Sequence, residues 1–396
     1  MTATGWVLDV TRLVLRVGRP VLTGIDRVER AWLRRLAQRD EPFHLLLQGK
    51  GGPWLLPGAA ATRLDRWLDA PPVAQGWREA VTVRRGPGDR RAARVAALRL
   101  RAGALPLRAA GGAVAGAWYL NLGHAFADPA LVAVLRGAGL KVAVMVHDTI
   151  PLDFPQFSRP HAVEEMRRLL ATAAAADLIL TNSRATAGDV ARHMPGPVPP
   201  LAVSHLGVAP APPDPARLPP GPDWDRPLFL SLGTIEPRKD HALLIDLWDG
   251  LIAAPPEGGV PQLVIAGREG WMVAELMRRI AAHPAHGRLI HHLPALPDAA
   301  VSAALLRARA LLMPSHAEGF GLPVAEAAVL GVPSLVRPLP VYTEILGDNP
   351  VYAPVHDLYS WRKGIEGHLG ANGRRYVPPV LPGWDEHVDR ALTAMC

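Results

Sequence analysis

Two doubly wound α/β domains, each built on a parallel sheet and facing the other across a cleft, are the architecture this sequence predicts. Three observations carry that expectation. Short apolar runs alternate with helical stretches in both halves of the chain, the pattern of parallel strands joined by crossover helices. Residues 207–227 hold eight prolines, too many for regular structure, so they read as a stiff linker between domains. A length of 396 residues exceeds what one core supports. The predicted boundaries are 1–208 for the first domain, 209–227 for the linker and 228–382 for the second, with a final helix at 383–396 returning to the first.

In the first half, residues 6–10 form an apolar run and read as the first strand. Thr23 with Asp26 fits a capping box, and Ile25, Val28, Trp32, Leu33 and Leu36 have helical spacing. Gly24 in this turn is either part of a helix cap or a backbone donor to a phosphate. Residues 43–48 are a second strand, and the Gly49-Lys50-Gly51-Gly52 that follows lacks the Lys-Ser/Thr pair of a P-loop. Residues 90–107 can form a helix with Arg91, Arg94, Arg101 and Arg108 on one side and Val95, Leu98 and Leu105 on another. That patterning suits either an anionic membrane surface or a solvated face. Residues 118–122 and 141–146 are strands. The second runs into His147-Asp148-Thr149-Ile150-Pro151, at the strand end where α/β sheets bind ligands. Residues 166–176 read as a helix, 178–181 as a strand, Ser183 as a helix cap and 201–205 as the last strand of this half.

The second half opens with a strand at 228–232. Gly233-Thr234-Ile235-Glu236-Pro237-Arg238-Lys239-Asp240 follows, with a helix starting near His241. Two cations beside a helix start suit a diphosphate, each charged hydrogen bond contributing roughly 1.5–3 kcal/mol. Strands at 262–266 and 289–293 lead to turns at Gly267 and Leu296, and Asp298 is expected to cap the next helix. Residues 310–313 are a buried strand, and Glu318-Gly319-Phe320-Gly321-Leu322-Pro323 is a glycine turn entering a helix at 324–330. Free N–H groups and the helix dipole make such a turn an anion cradle. Glu318 and Glu326 flank it.

The EGFGLP segment with its two glutamates resembles that of glycosyltransferase family 4. The HDTIP turn resembles the family's HDxxP, GTIEPRK its GTxExRK variant, and TGIDRV a segment of a bacterial subset. The resemblance is motif-deep over about 228–344 and patchier before. It implies the retaining GT-B arrangement, in which the first domain binds the acceptor and the second a nucleotide-sugar. Implied catalytic residues are His147 facing the donor sugar, Asp148 beside it in the same turn, Arg238 and Lys239 at the leaving diphosphate, and Glu318 at the sugar hydroxyls. Implied donor contacts are Gly24, Gly233, Thr234, Gly267, Leu296, Gly319, Phe320, Gly321 and Leu322, with Glu326 on the ribose. The commoner family pattern has arginine directly after the first glycine, where this chain has Thr234.

The expected reaction moves a hexose from a nucleotide-sugar to a hydroxyl of a glycan or lipid-linked acceptor, in surface-polysaccharide or lipid-linked glycan synthesis. A binding subunit without catalysis is the alternative, and donor hydrolysis separates the two. No Asp-x-Asp lies among the cleft motifs, so neither metal nor cofactor is expected, and no pyridoxal-binding lysine motif is present. The pI of about 10.0 admits nucleic acid, but the arginine tract at 84–108 has no aromatic residue, which argues against that partner. Between residues 76 and 110 nine arginines face Glu79 and Asp89, a balance of +7 equal to that of the whole chain. Asp9, Arg12, Arg16 and Arg19 break any signal-peptide core, and residues 109–127 read as a loop feeding a buried strand. Cys396 is the only cysteine and can form no intramolecular disulfide. The expected location is cytoplasmic, peripheral on the inner face of the plasma membrane.

Overall fold

A computed structural model describes residues 4–19, 21–49, 51–75, 79, 90–124, 126–354, 357–370 and 377–396. The first sheet has eight strands in the order Leu105–Pro106, Trp54–Pro57, Phe43–Leu47, Trp6–Asp9, Trp118–Asn121, Lys141–Val146, Leu178–Thr181 and Leu201–Val203. The second has six, Ile290–Leu293, Gln262–Ala266, Leu228–Leu232, Ala310–Met313, Ser334–Val336 and Val351–Tyr352, all parallel. In each sheet the chain order reverses once. The crevices lie between Trp6–Asp9 and Trp118–Asn121, and between Leu228–Leu232 and Ala310–Met313. Such reversal points, at the carboxyl ends of the strands, are where open α/β sheets receive ligands.

The central strands are buried along their whole length and mostly apolar because helices cover both faces. Every residue of Leu228–Leu232, Gln262–Ala266 and Ala310–Met313 is buried. Each fully buried leucine or valine contributes roughly 1.5–3 kcal/mol. Two apolar clusters sandwich each sheet, with Trp6, Trp32 and Trp118 in the first and Phe229, Trp248 and Trp361 in the second.

Three features differ from the sequence expectation. Trp54–Pro57 is an antiparallel strand, paired with Phe43–Leu47 and with the short edge strand Leu105–Pro106. The Gly51 and Gly52 backbones at φ 92° and 100° reverse the chain there, which the glycines permit at no steric cost. The arginine-rich helix is shorter than expected, Arg91–Arg101, and it buries Ala93, Val95, Ala96 and Leu100 against the first domain. Leu98 and Leu105 are exposed instead, and the Arg101 guanidinium lies 4.6 Å from the Trp54 ring centre. Residues 76–78 and 80–89 of the basic tract lie outside the described residues. Finally, Asp298 does not cap: the helix Asp298–Arg307 has Pro297 at its N-cap, and Asp298 turns to Arg27 at 3.1 Å.

Within the predicted linker, residues 214–224 form an ordered strap on the second sheet's layers. The Asp214 N–H donates to the Ala299 carbonyl (3.1 Å), and Leu218 and Trp224 pack on the core beneath. The helix Trp384–Thr393 lies on the helix Gly24–Leu36, with Trp32 Nε1 donating to His387 Nε2 at 3.1 Å and Arg35 forked on Asp389 at 2.6–3.0 Å. Among the described residues, no helix is long and apolar enough to cross a membrane.

Candidate active site

The two reversal points face each other, and the sequence motifs meet between them. Leu228–Leu232 ends at Gly233, whose φ of 125° turns the chain toward a single 3-10 turn, Pro237–Lys239. That turn directs Lys239 inward, where it is buried. Ala310–Met313 ends ahead of Glu318, and Gly321 begins the helix Leu322–Val329 with a left-handed φ of 81°. A side chain at Gly321 would also strike the Tyr342 ring. In the first turn of that helix Pro323 has no N–H, and Val324 and Ala325 donate to the Gly321 carbonyl at 3.0 and 3.2 Å, which leaves the Leu322 N–H as the donor at the helix start.

Glu318 joins the two cations. Its carboxylate takes Lys239 Nζ on Oε1 and Arg238 on Oε2 at 3.0 Å. Burial opposes its charge, but Arg238 and Lys239 outweigh burial and hold the carboxyl down at about 2. Burial pushes Lys239 below the ordinary lysine value, and Glu318 offsets part of that. Arg238 also forks onto Glu236 Oε1 at 2.5 and 2.9 Å and reaches the Ala317 carbonyl. The crevice thus holds two cations already positioned by carboxylates.

The opposite wall is the His147–Asp148 turn. Leu122 O can only accept, so His147 Nε2, 2.8 Å away, carries a proton. The His147 N–H donates to His124 Nε2 at 2.8 Å, so that nitrogen is bare. Both rings are neutral, as burial pushes each pKa down to about 3, and Nδ1 is the His147 nitrogen not used by Leu122. Burial raises the pKa of Asp148 against the pull of Arg238, and its Oδ1 accepts the Ile150 N–H at 3.1 Å. Gly319 fits against this turn because it has no side chain. A Cβ there would lie 3.3 Å from the His147 carbonyl carbon, and nearer its oxygen.

Gly24 is exposed at the start of its helix, and the capping box of Thr23 and Asp26 is present. A Cβ on Gly24 would be 3.3 Å from Leu322 Cδ1, which places the turn across from EGFGLP. Phe320 packs into the first domain's apolar cluster beside Leu206 and Val208. Gly233 and Gly267 abut, and Thr234 lies beside Gly270. Leu296 is part of the second domain's core, so only its backbone can meet a ligand. Ser183 caps its helix by accepting the Thr186 N–H at 3.0 Å.

Several residues of the site escape a reading of the sequence. Glu236 holds Arg238. Arg27 crosses the cleft to Glu326. Glu344 accepts the N–H groups of Arg184 (2.7 Å) and Ala185 (2.9 Å), capping the helix Arg184–His193 from the other domain, and pairs with His205 at 2.8 Å. Trp271 Nε1 donates to the Phe157 carbonyl at 2.8 Å. Glu236 and Arg27 do lie inside quoted motifs, and that adjacency is the only sequence signal for them.

Comparison with known proteins identifies the scaffold. A crystal structure of Anabaena Alr3699/HepE in complex with UDP-glucose superposes with a TM-score of 0.59 over 98% of this chain and 94% of that one, at 15% identity. The fold is GT-B. Sucrose-phosphate synthase from Thermosynechococcus elongatus gives the same TM-score over 99% of this chain and 94% of its own, at 14% identity. Residues 217–365, within the second domain, match the family Glycosyl transferases group 1. The Escherichia coli serotype-specific mannosyltransferase WbdA is 33% identical over 238 residues, 55% of this chain and 28% of WbdA. The E. coli O-antigen chain mannosyltransferase B is 31% identical over 129 residues, 33% of each chain. The chain therefore matches well under half the length of either curated relative.

Proposed function

We propose that this protein is a retaining hexosyltransferase of the family 4 type, taking a sugar from a nucleotide-sugar donor to a hydroxyl of a glycan or lipid-linked acceptor in surface-polysaccharide synthesis. The observation that carries the reading is the triad of Lys239, Arg238 and Glu318 at the second domain's reversal point, facing His147 and Asp148. In the proposed reaction the donor diphosphate takes over Lys239 and Arg238, which releases Glu318 toward the sugar hydroxyls. Negative charge then grows on the leaving diphosphate as the glycosidic bond breaks, and those cations with the N–H groups at Phe320–Leu322 stabilise it. The acceptor hydroxyl attacks from the side the diphosphate leaves, and a phosphate oxygen takes its proton. Glu326 holds the ribose.

Mass spectrometry of donor hydrolysis across UDP-, GDP- and dTDP-sugars tests this reading. A mannosyl donor is the first to try, since the curated relatives are mannosyltransferases. Release of free hexose from one donor is expected, and no release from any donor favours a non-catalytic binding subunit. Hydrolysis should survive EDTA, because Lys239 and Arg238 stand where a metal would bridge the diphosphate. Complete loss restored by manganese or magnesium would count against the assignment.

The proposed peripheral location rests on the basic helix alone. Its apolar face is buried in the domain, so attraction to anionic lipid would be electrostatic and weaken with salt. Replacing Arg91, Arg94 and Arg108 by serine should lower retention on phosphatidylglycerol vesicles and leave donor hydrolysis unchanged. Arg101 is spared because it packs on Trp54. Wild-type protein that vesicles never retain would make this tract a solvated face.

A further inference from the structure

The carboxylate proposed for the ribose does not stand alone. Glu326 lies in the helix Leu322–Val329, and its side chain is only 9% exposed. Its Oε1 is taken by Arg27 NH1, and the other arm of the same guanidinium, NH2, holds Asp298 at 3.1 Å. Arg27 comes from the opposite domain, three residues past Gly24 on the first turn of the helix Gly24–Leu36. Its side chain is 24% exposed. A planar guanidinium that forks between two carboxylates fixes both in orientation, as a lysine ammonium cannot.

We infer that Arg27 is a positioning residue for nucleotide selection: it reaches across the cleft, orients Glu326 through Oε1, and so presents Oε2 to the ribose hydroxyls. The inference rests on the donor reading above and adds to it that ribose recognition is assembled from both domains. Without Arg27, Glu326 would keep burial and the neighbouring Asp298, both of which favour its protonated form. A protonated or rotated carboxyl accepts hydroxyl donors poorly. Ribose selection would then be complete only when the cleft is closed around the nucleotide, whereas the cations proposed for the diphosphate, Arg238 and Lys239, both belong to the second domain.

Calorimetric titration of UDP and GDP against their 2′,3′-dideoxy counterparts tests this, because the two forms differ only in the hydroxyls Glu326 would meet. For whichever base binds, the wild type is expected to favour the ribo form at least about tenfold. Arg27→Gln should weaken the ribo form about tenfold and the dideoxy form by less than threefold, collapsing the ratio. Arg27→Lys keeps a cation without the fork, should retain the fold, and should give an intermediate ratio. A merely structural arginine would weaken both forms alike. Undiminished ribose preference in Arg27→Gln, or in Arg27→Lys should the first variant not fold, overturns the inference while the donor reading stands. Wild-type protein that binds the diphosphates without ribose preference overturns the inference and the role of Glu326. Wild-type protein that binds no nucleoside diphosphate overturns the inference and the donor reading together.

Discussion

Lys239→Ala is expected to lower kcat about 10²–10³-fold, the usual cost of removing one preorganised donor from a developing anion. The donor KM should rise less than tenfold, because an interaction that strengthens in the transition state appears in turnover. The contrast with Arg238 gives the prediction its edge. Arg238 is shared among Glu236, Glu318 and the Ala317 carbonyl, whereas Glu318 is the carboxylate that Lys239 pairs with. When a diphosphate displaces Glu318, Lys239 can turn wholly to the leaving group, while Arg238 stays half committed to Glu236. Glu326→Gln should mainly weaken donor binding, and Glu318→Ala should affect both constants and relax the choice among sugars on one nucleotide. Steady-state kinetics on the preferred donor measure all three. Near wild-type kcat and KM in both Lys239→Ala and Glu318→Ala would remove the basis of the glycosyltransferase mechanism.

Gly267→Ala should be among the most destabilising single-methyl changes in the second domain. A Cβ at Gly267 would sit 2.6 Å from the Gly233 carbonyl carbon and closer still to its oxygen. Neither backbone can yield easily. The Gly233 N–H donates to Ala266 O (3.0 Å), the Gly267 N–H to Leu293 O (2.8 Å), and the Ile235 N–H to Arg268 O (2.9 Å). Overpacking of this kind costs about 3 kcal/mol, which for a domain of this size lowers Tm by roughly 6–12 °C. Donor affinity should fall too, because Gly233 adjoins Lys239. Gly250→Ala is the control: it lies within the helix His241–Ala253, where an added Cβ would meet nothing within 4 Å and alanine is favoured by about 1 kcal/mol. Equal melting temperatures for the two variants would show that the turns can separate freely.

What was legible in the sequence was local. The Thr23–Asp26 capping box, the Ser183 cap, the Gly233 turn and the Gly321 helix entry each depend on residues within a few positions, and each is present. Motif order along the chain also located the crevice of the second sheet, because strand ends carry the ligand loops in this class of fold. Long-range partnerships were not legible. Nothing near Glu344 announces that it caps a helix 160 positions earlier, and nothing in Asp298 distinguishes a cap from a partner of Arg27. The Trp54–Pro57 strand escapes a sequence reading because it is four residues long without alternation, and its main pairing, antiparallel to Phe43–Leu47, depends on the chain reversing at Gly51 and Gly52. The burial of Ala93, Ala96 and Leu100 was missed because a helical wheel cannot say which of two mixed faces a neighbour covers.

The returning helix has a consequence for synthesis on the ribosome. Val388, Leu392 and Met395 belong to the same apolar cluster as Trp6, Trp32 and Trp118, and Trp118 Nε1 donates to the Met395 carbonyl at 3.1 Å. A nascent chain that has emerged only as far as residue 380 therefore carries every strand of both sheets, yet the first domain still exposes a groove where that helix will lie. The second domain has its strands and covering helices in place by then. The half translated first is thus the half finished last, reversing the usual N-to-C order of domain completion.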